Sequence, residues 1–129
     1  KALAVRQPWA TLIAGGFKTV EARTWRTHYR GPLVIVASRA LDRAASACWQ
    51  IDNPKTSALA AIVELTEFAR SVAAMLVARA ATGAEWRLDE LYAWILASPR
   101  RLAPLPFTKS KLMTFEIPTR LVRAAMKKG

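Results

Sequence analysis

The residues best suited to chemistry fall in one early stretch. Lys18, Glu21 and Arg23 stand within six positions of one another, and Arg26 and Arg30 follow closely. In an extended strand, alternate side chains share a face, so Thr19, Glu21 and Arg23 point one way and Val20, Ala22 and Thr24 the other. A carboxylate and a guanidinium two residues apart on one face either pair with each other or reach the same ligand. Lys18 sits at the strand entrance, where a loop can turn its amine toward that place. Trp25 and Tyr29 interleave aromatic rings with Arg26 and Arg30. Basic groups meet phosphates and rings stack on bases, a combination that suits single-stranded RNA. The same two rings could equally lie as lids on the core.

The flanking elements must position this stretch. Leu3 and Val5 alternate with smaller residues and predict a first strand. Pro8 suits the first turn of a helix. Trp9, Leu12 and Ile13 recur at helical spacing, with Trp9 read as core and Gln7 as a cap. Gly15 and Gly16 end the helix, because glycine accepts the left-handed conformation there. Residues 19–24 form the second extended segment and residues 25–30 a polar connection. Gly31-Pro32 predicts a turn, Leu33 to Ala37 a strand, and Ser38 its end.

Further on, Leu41 to Trp49 predicts a short helix with Asp42 near its start, and residues 52–54 a loop. Leu59 to Phe68 predicts a strand with Glu64 and Thr66 on one face. Glu64 and Glu67 are read as solvent-facing positions in preference to general acids or bases. Val72 to Ala81 is Ala-rich and predicts a helix ended by Gly83. Residues 86–91 read as a connection, and Tyr92 to Leu96 as a strand with Tyr92, Trp94 and Leu96 on one face. Trp94 is read as core, while Tyr92 could present its hydroxyl to a pocket. Ser98-Pro99, Pro104 and Pro106 predict an extended loop. Lys109-Ser110-Lys111 leads into a predicted last strand, Leu112 to Ile117. Thr119 to Lys128 predicts a basic helix docked by Leu121, Val122 and Met126.

A chain of 129 residues with 53% hydrophobic residues is expected to be one domain, 1–129, with a sizeable core. Short strands with helices between them argue for an α+β fold. No apolar run reaches the length of a membrane span and no signal-peptide pattern is present, so a cytoplasmic protein without membrane contact is expected. Cys48, the single cysteine, cannot form an internal disulfide and is expected to be a buried thiol. With one histidine, His28, no set of metal ligands is available, and no cofactor is expected.

The net charge is +11. Its distribution is uneven: residues 1–30 carry six Lys and Arg against Glu21 alone, residues 99–129 carry eight against Glu116 alone, and the middle of the chain is near neutral. If the two ends meet in the fold, they make one basic surface of the kind that binds polyanions.

Gly16-x-Lys18-x-x-Glu21-x-Arg23 resembles the GxKxxExR signature of the ASCH (activating signal cointegrator homology) domains, relatives of the PUA RNA-binding fold. Arg6-Gln7-Pro8-Trp9 before it, and Arg23-Thr24-Trp25-Arg26-Thr27, Tyr29-Arg30-Gly31-Pro32 and Ala37-Ser38 after it, are similar to the same family in the same order. The resemblance is close over residues 3–38 and looser over 59–68 and 92–118. Ser110 departs from it, since the family usually has glycine between the two lysines. The resemblance implies a PUA-like β-pseudobarrel of short strands with inserted helices, and a cleft between barrel and first helix lined by Lys18, Glu21 and Arg23, with Arg26 and Ser38 as neighbours.

The function implied first is the binding of single-stranded RNA or a nucleoside. Glu21 would accept from an exocyclic amine and the cations would hold the backbone. Arg6, Lys18, Glu21, Arg23, Trp25, Arg26, Arg30, Ser38, Tyr92, Lys109 and Lys111 are the candidate binding residues. The alternative is an RNA-processing hydrolase, either a ribonuclease or an amidohydrolase on an acylated nucleoside, with Lys18 and Glu21 as catalytic residues. Small bacterial relatives deacetylate N4-acetylcytidine with a lysine at the Lys18 position. They carry threonine where this chain has Glu21, so their route does not carry over intact. A third reading is a protein-interaction module of transcription or translation control, with its basic face against an acidic partner.

Overall fold

The computed structural model describes residues 1–23, 25, 27–69 and 92–128. Thr24, Arg26 and the predicted helix at Val72 to Ala81 with its following connection lie outside the described residues. The described strands are β1 (Ala2–Gln7), β2 (Val20–Arg23), β3 (Gly31–Leu41), β4 (Ala58–Ala69), β5 (Tyr92–Arg101) and β6 (Thr114–Phe115). They form one sheet in the order β2-β5-β4-β3-β1-β6. β1 runs parallel to β3, and the other neighbours are antiparallel. The described helices are α1 (Trp9–Ala14), α2 (Arg43–Cys48) and α3 (Thr119–Lys128). The α+β class expected from the sequence holds.

The sheet is curled. β2 and β1 are four strand steps apart, about 19 Å in a flat sheet at about 4.8 Å per step. Yet Arg23 on β2 donates from Nη2 to the Ala4 carbonyl on β1 at 3.0 Å. An arginine side chain spans less than half of the flat distance, so the sheet must bend until its ends approach.

Each face of the sheet has its own apolar cluster. On the concave side Leu3, Val5, Leu33, Ile35, Val63, Leu65, Trp94 and Leu96 pack with Trp9, Leu12 and Ile13 of α1. On the other side Ala2, Val34, Val36, Leu59 and Phe115 pack under Leu121, Val122, Ala125 and Met126 of α3. The alternation Ala2/Leu3/Ala4/Val5 divides β1 between the two. β3 is covered on both faces, which is why Leu33 to Ala37 reads as an unbroken apolar run. Trp9 and Trp94 are core, and Tyr92, Trp94 and Leu96 share a face, as the sequence predicts.

Four sequence expectations need correction. β3 includes Gly31-Pro32 and continues past Ser38 to Leu41. Val34 N donates to Lys1 O, so the nitrogen of Pro32, two residues earlier, faces the same side before β1 has begun. A proline is tolerated there because no partner strand needs its N–H. β5 likewise continues through Ser98-Pro99, where the β4–β5 register shifts and Ser98 is left-handed at φ 51. This bulge accommodates the proline. The last strand shrinks to Thr114–Phe115, because Met113 is left-handed (φ 63) and Leu112 stands in solvent. Cys48 is exposed, because α2 turns its Ser46 face inward.

Asp42 caps α2, accepting from Ala45 N at 3.0 Å. Removing such a cap by Asp42→Ala is expected to cost about 1 kcal/mol, read as a lowered urea midpoint.

Candidate functional site

α1 is anchored at both ends by the residues flanking it. Gln7 Oε1 accepts from the Thr11 backbone N and hydroxyl, both at 3.0 Å, and its amide donates to Lys55 O at 2.7 Å. At the other end Gly16 takes φ 81, a conformation costly for any residue with a Cβ. This reversal lets Phe17 N and Lys18 N both donate to Leu12 O, at 2.9 and 3.2 Å. Phe17 is thrown into solvent and Lys18 is turned inward.

The Lys18 ammonium then donates to Val20 O at 2.6 Å and lies 3.6 Å from Glu21 Oε1. Glu21 pairs in register with Trp94 and so faces the concave side, where Trp94 is wholly buried. Its Oε1 accepts from Ala22 N, and its Oε2 lies 3.4 Å from Arg23 Nη2. Arg23, two residues on and opposite Tyr92, uses the same guanidinium to reach Ala4 O. Among the described residues β6 pairs only with Ala2 and Leu3 on that edge of β1, and Arg23 takes the next carbonyl free of strand pairing, that of Ala4. The four signature residues thus close the seam of the curled sheet.

The electrostatics follow from burial. Lys18 and Glu21 are 4% and 5% exposed. Burial pushes the Lys18 amine below its ordinary range; Glu21 opposes that and Arg23 adds to it. In the same core cluster the indole N–H groups of Trp9 and Trp94, and at the seam the Nε of Arg23, are buried without a hydrogen-bond partner among the described residues.

The structure brings Lys18, Glu21, Arg23, Trp25 and Tyr92 to this seam. Trp25 sets its ring edge-on to Trp94, 4.7 Å between centroids at 82°, and Tyr29 packs against the same core cluster with its hydroxyl donating to Pro32 O. Both rings therefore cover the core. Arg30 is exposed and donates to Thr27 O and Tyr29 O. Arg6 lies exposed on β1 and Lys109 exposed ahead of β6. Arg26 is outside the described residues.

Ser38 and Lys111 are brought together elsewhere. They line a cavity of about 640 Å³ with Ala4, on the face of the sheet opposite the trio. Arg39, Ser57, Phe107 and Thr108 also line it and were not among the sequence candidates. For Arg39 and Thr108 a signal existed, since each adjoins a candidate in sequence. Ser57 and Phe107 are joined to the site only by tertiary pairing.

Among the described residues no group of three or more His, Cys, Asp or Glu side chains could hold a metal ion. No helix among them is long and apolar enough to cross a membrane.

Residues 3–106 match the family model of the ASCH domain. Human activating signal cointegrator 1 is 53% identical over 36 residues, and the mouse protein of the same name 50% over 36 residues. The matched segment is 28% of this chain and 6% of each of those proteins, so the chain corresponds to a small part of their length. The family match takes in all of β2 to β5 and the whole seam. The curled sheet of this chain has the form of a PUA-like pseudobarrel, and the chain belongs to the ASCH domain family.

Proposed function

We propose that this domain binds single-stranded RNA along the basic surface where the two ends of the chain meet. One observation carries the reading. β1 and β6 are hydrogen-bonded neighbours, and Lys1 pairs with Glu116 at 2.9 Å, so the two basic segments of the sequence adjoin in the fold. Arg6, Lys109, Lys111, Arg120 and Arg123 stand exposed on these segments. Clustered exposed cations gain affinity for a polyanion by releasing its counterions. Membership of a family associated with RNA binding supports the same reading. The trio acts here through the frame: it holds β2 against β1 and so fixes the connection that carries Trp25 and Arg30.

Fluorescent single-stranded RNA titrated across a salt series tests this. Affinity is expected to fall with salt at a slope of about −0.7 per phosphate contacted. Arg6→Gln and Lys109→Gln should each lower the slope by about one such contact. Absence of binding at low salt would overturn the proposal.

The Lys18–Glu21 pair, with the ammonium 3.6 Å from the carboxylate and its pKa lowered by burial, supports a second reading in which the two act on a phosphodiester or an acylated nucleoside. RNA breakage, or loss of the acetyl group from N4-acetylcytidine, that disappears in Lys18→Ala would establish it. The name of the cointegrator relatives suggests a third, a module that docks an acidic protein through the same basic surface; failure to bind RNA would favour it.

A further inference from the structure

We propose that the cavity between the end of β3 and the segment before β6 is a receptor for a phosphate monoester, the phosphorylated end of a nucleotide strand. The inference deepens the RNA reading in naming a strand end as the ligand, but the pocket chemistry stands by itself.

The cavity holds about 640 Å³, within the range of about 300–1,000 Å³ usual for small-ligand sites. Two cations line it, Arg39 and Lys111, and no carboxylate does so among the described residues. Four hydroxyls join them, from Ser38, Ser57, Thr108 and Ser110. Phe107 and Leu112 give it an apolar side, with the Phe107 ring held parallel to Phe115 at 5.9 Å. A lining that combines cations and hydroxyl donors with an aromatic ring and an aliphatic side chain fits a phosphate joined to a sugar and base.

The cradle is set by backbone bonds before any ligand arrives. Phe107 N donates to Ser57 O at 2.8 Å, and Ser57 N to Ser38 O at 3.4 Å, so three distant segments are tied together at the cavity wall. Ser57 is left-handed at φ 48, and Met113 beside Leu112 at φ 63.

The donor set favours a monoester over an internal phosphodiester. A monoester near neutral pH carries about −1.5 to −2 charge and three strong acceptor oxygens, with a second pKa of about 6. A diester carries one charge and leaves two free oxygens. Two cations with four hydroxyls match the former. A concave pocket also suits a chain end better than a strand passing through.

The test compares single-stranded RNA octamers that differ only at their ends: 5′-phosphate, 3′-phosphate, or hydroxyl at both. Free nucleoside monophosphates and the parent nucleosides are titrated alongside, all at one ionic strength. One phosphorylated octamer is expected to bind about tenfold more tightly than the hydroxyl-ended one, as charge-assisted hydrogen bonds imply. The preference should fade below about pH 6 as the monoester takes up its second proton. Arg39→Gln, at an exposed position outside the basic segments of the two chain ends, should abolish the preference while the hydroxyl-ended strand still binds. Equal affinity for all three octamers overturns the phosphate pocket and leaves the RNA reading intact. Binding of free monophosphates but not nucleosides, with no octamer bound, overturns the RNA reading and keeps the pocket. If monophosphates and nucleosides bind alike and no octamer binds, both fall.

Discussion

Glu21→Ala is expected to lower folding stability by about 3–5 kcal/mol, the penalty for leaving a buried charge without its partner. Lys18 is almost wholly enclosed, and Glu21 is the carboxylate beside it. The loss should depend on pH in a defined direction. In the folded chain Lys18 holds its proton less tightly than the free side chain does, with burial the leading cause. Between its lowered pKa and 10.5 the unfolded chain therefore binds more protons, and stability rises with pH across that window. Below the window the full destabilisation by the buried cation is present. Removing Glu21 takes away the influence that raises the Lys18 pKa, so the window extends to lower pH. Urea midpoints measured from neutral to alkaline pH check this, with Lys18→Met as the reference that lacks the slope. The double variant Lys18→Met/Glu21→Gln should be more stable than Glu21→Gln alone, because no uncompensated ammonium is left inside. A cost under about 1 kcal/mol for Glu21→Ala, the value of an exposed pair, would show that the trio does not hold the fold.

Arg23→Ala should open the seam. The guanidinium is the described contact from β2 to the free edge of β1 and also faces Glu21. Hydrogen bonds to charged groups contribute about 1.5–3 kcal/mol each, and the variant leaves the Ala4 carbonyl and part of Glu21 unpaired. A loss of about 2–3 kcal/mol is expected on that basis. Hydrogen exchange gives the sharper signature. Amides of β2 should exchange faster than those of β3 and β4, which keep partners on both sides. Arg23→Lys should recover little, since one ammonium on a straight stem cannot present a planar fork to a carbonyl and a carboxylate at once. Uniform acceleration across the sheet, with no excess in β2, would mean that Arg23 supports the domain generally and not the seam.

These two results bear on how the signature motif is understood. Its residues invite a ligand-binding account, because a lysine, a glutamate and an arginine gathered on and just before one strand look like a binding set. In the structure each has a local structural duty. Gly16 reverses the chain, Lys18 fastens the loop to Val20 O, Glu21 neutralises the cations, and Arg23 bridges the sheet ends. The surface that meets RNA in our proposal lies around this frame, on the exposed cations of the two chain ends.

By itself the sequence determined the local elements and one cluster. Strand alternation placed Glu21 and Arg23 on one face, glycine chemistry ended α1, and aromatic spacing put Trp94 and Leu96 inward. These are short-range consequences of side-chain period and backbone sterics. Strands run on past the prolines that suggest a break, because the partner strand that decides whether a proline N–H is missed comes from far along the chain. Long-range pairing also decided the rest. It brought the two basic ends side by side through β1 and β6. It drew Arg23 across to Ala4, and it set Ser38, Ser57 and Lys111 around one cavity on the face away from the trio. Sequence spacing says nothing about which distant strands become neighbours; that follows from burying both faces of β3 at once, and it moved Ser38 from the expected cleft to the opposite side of the sheet.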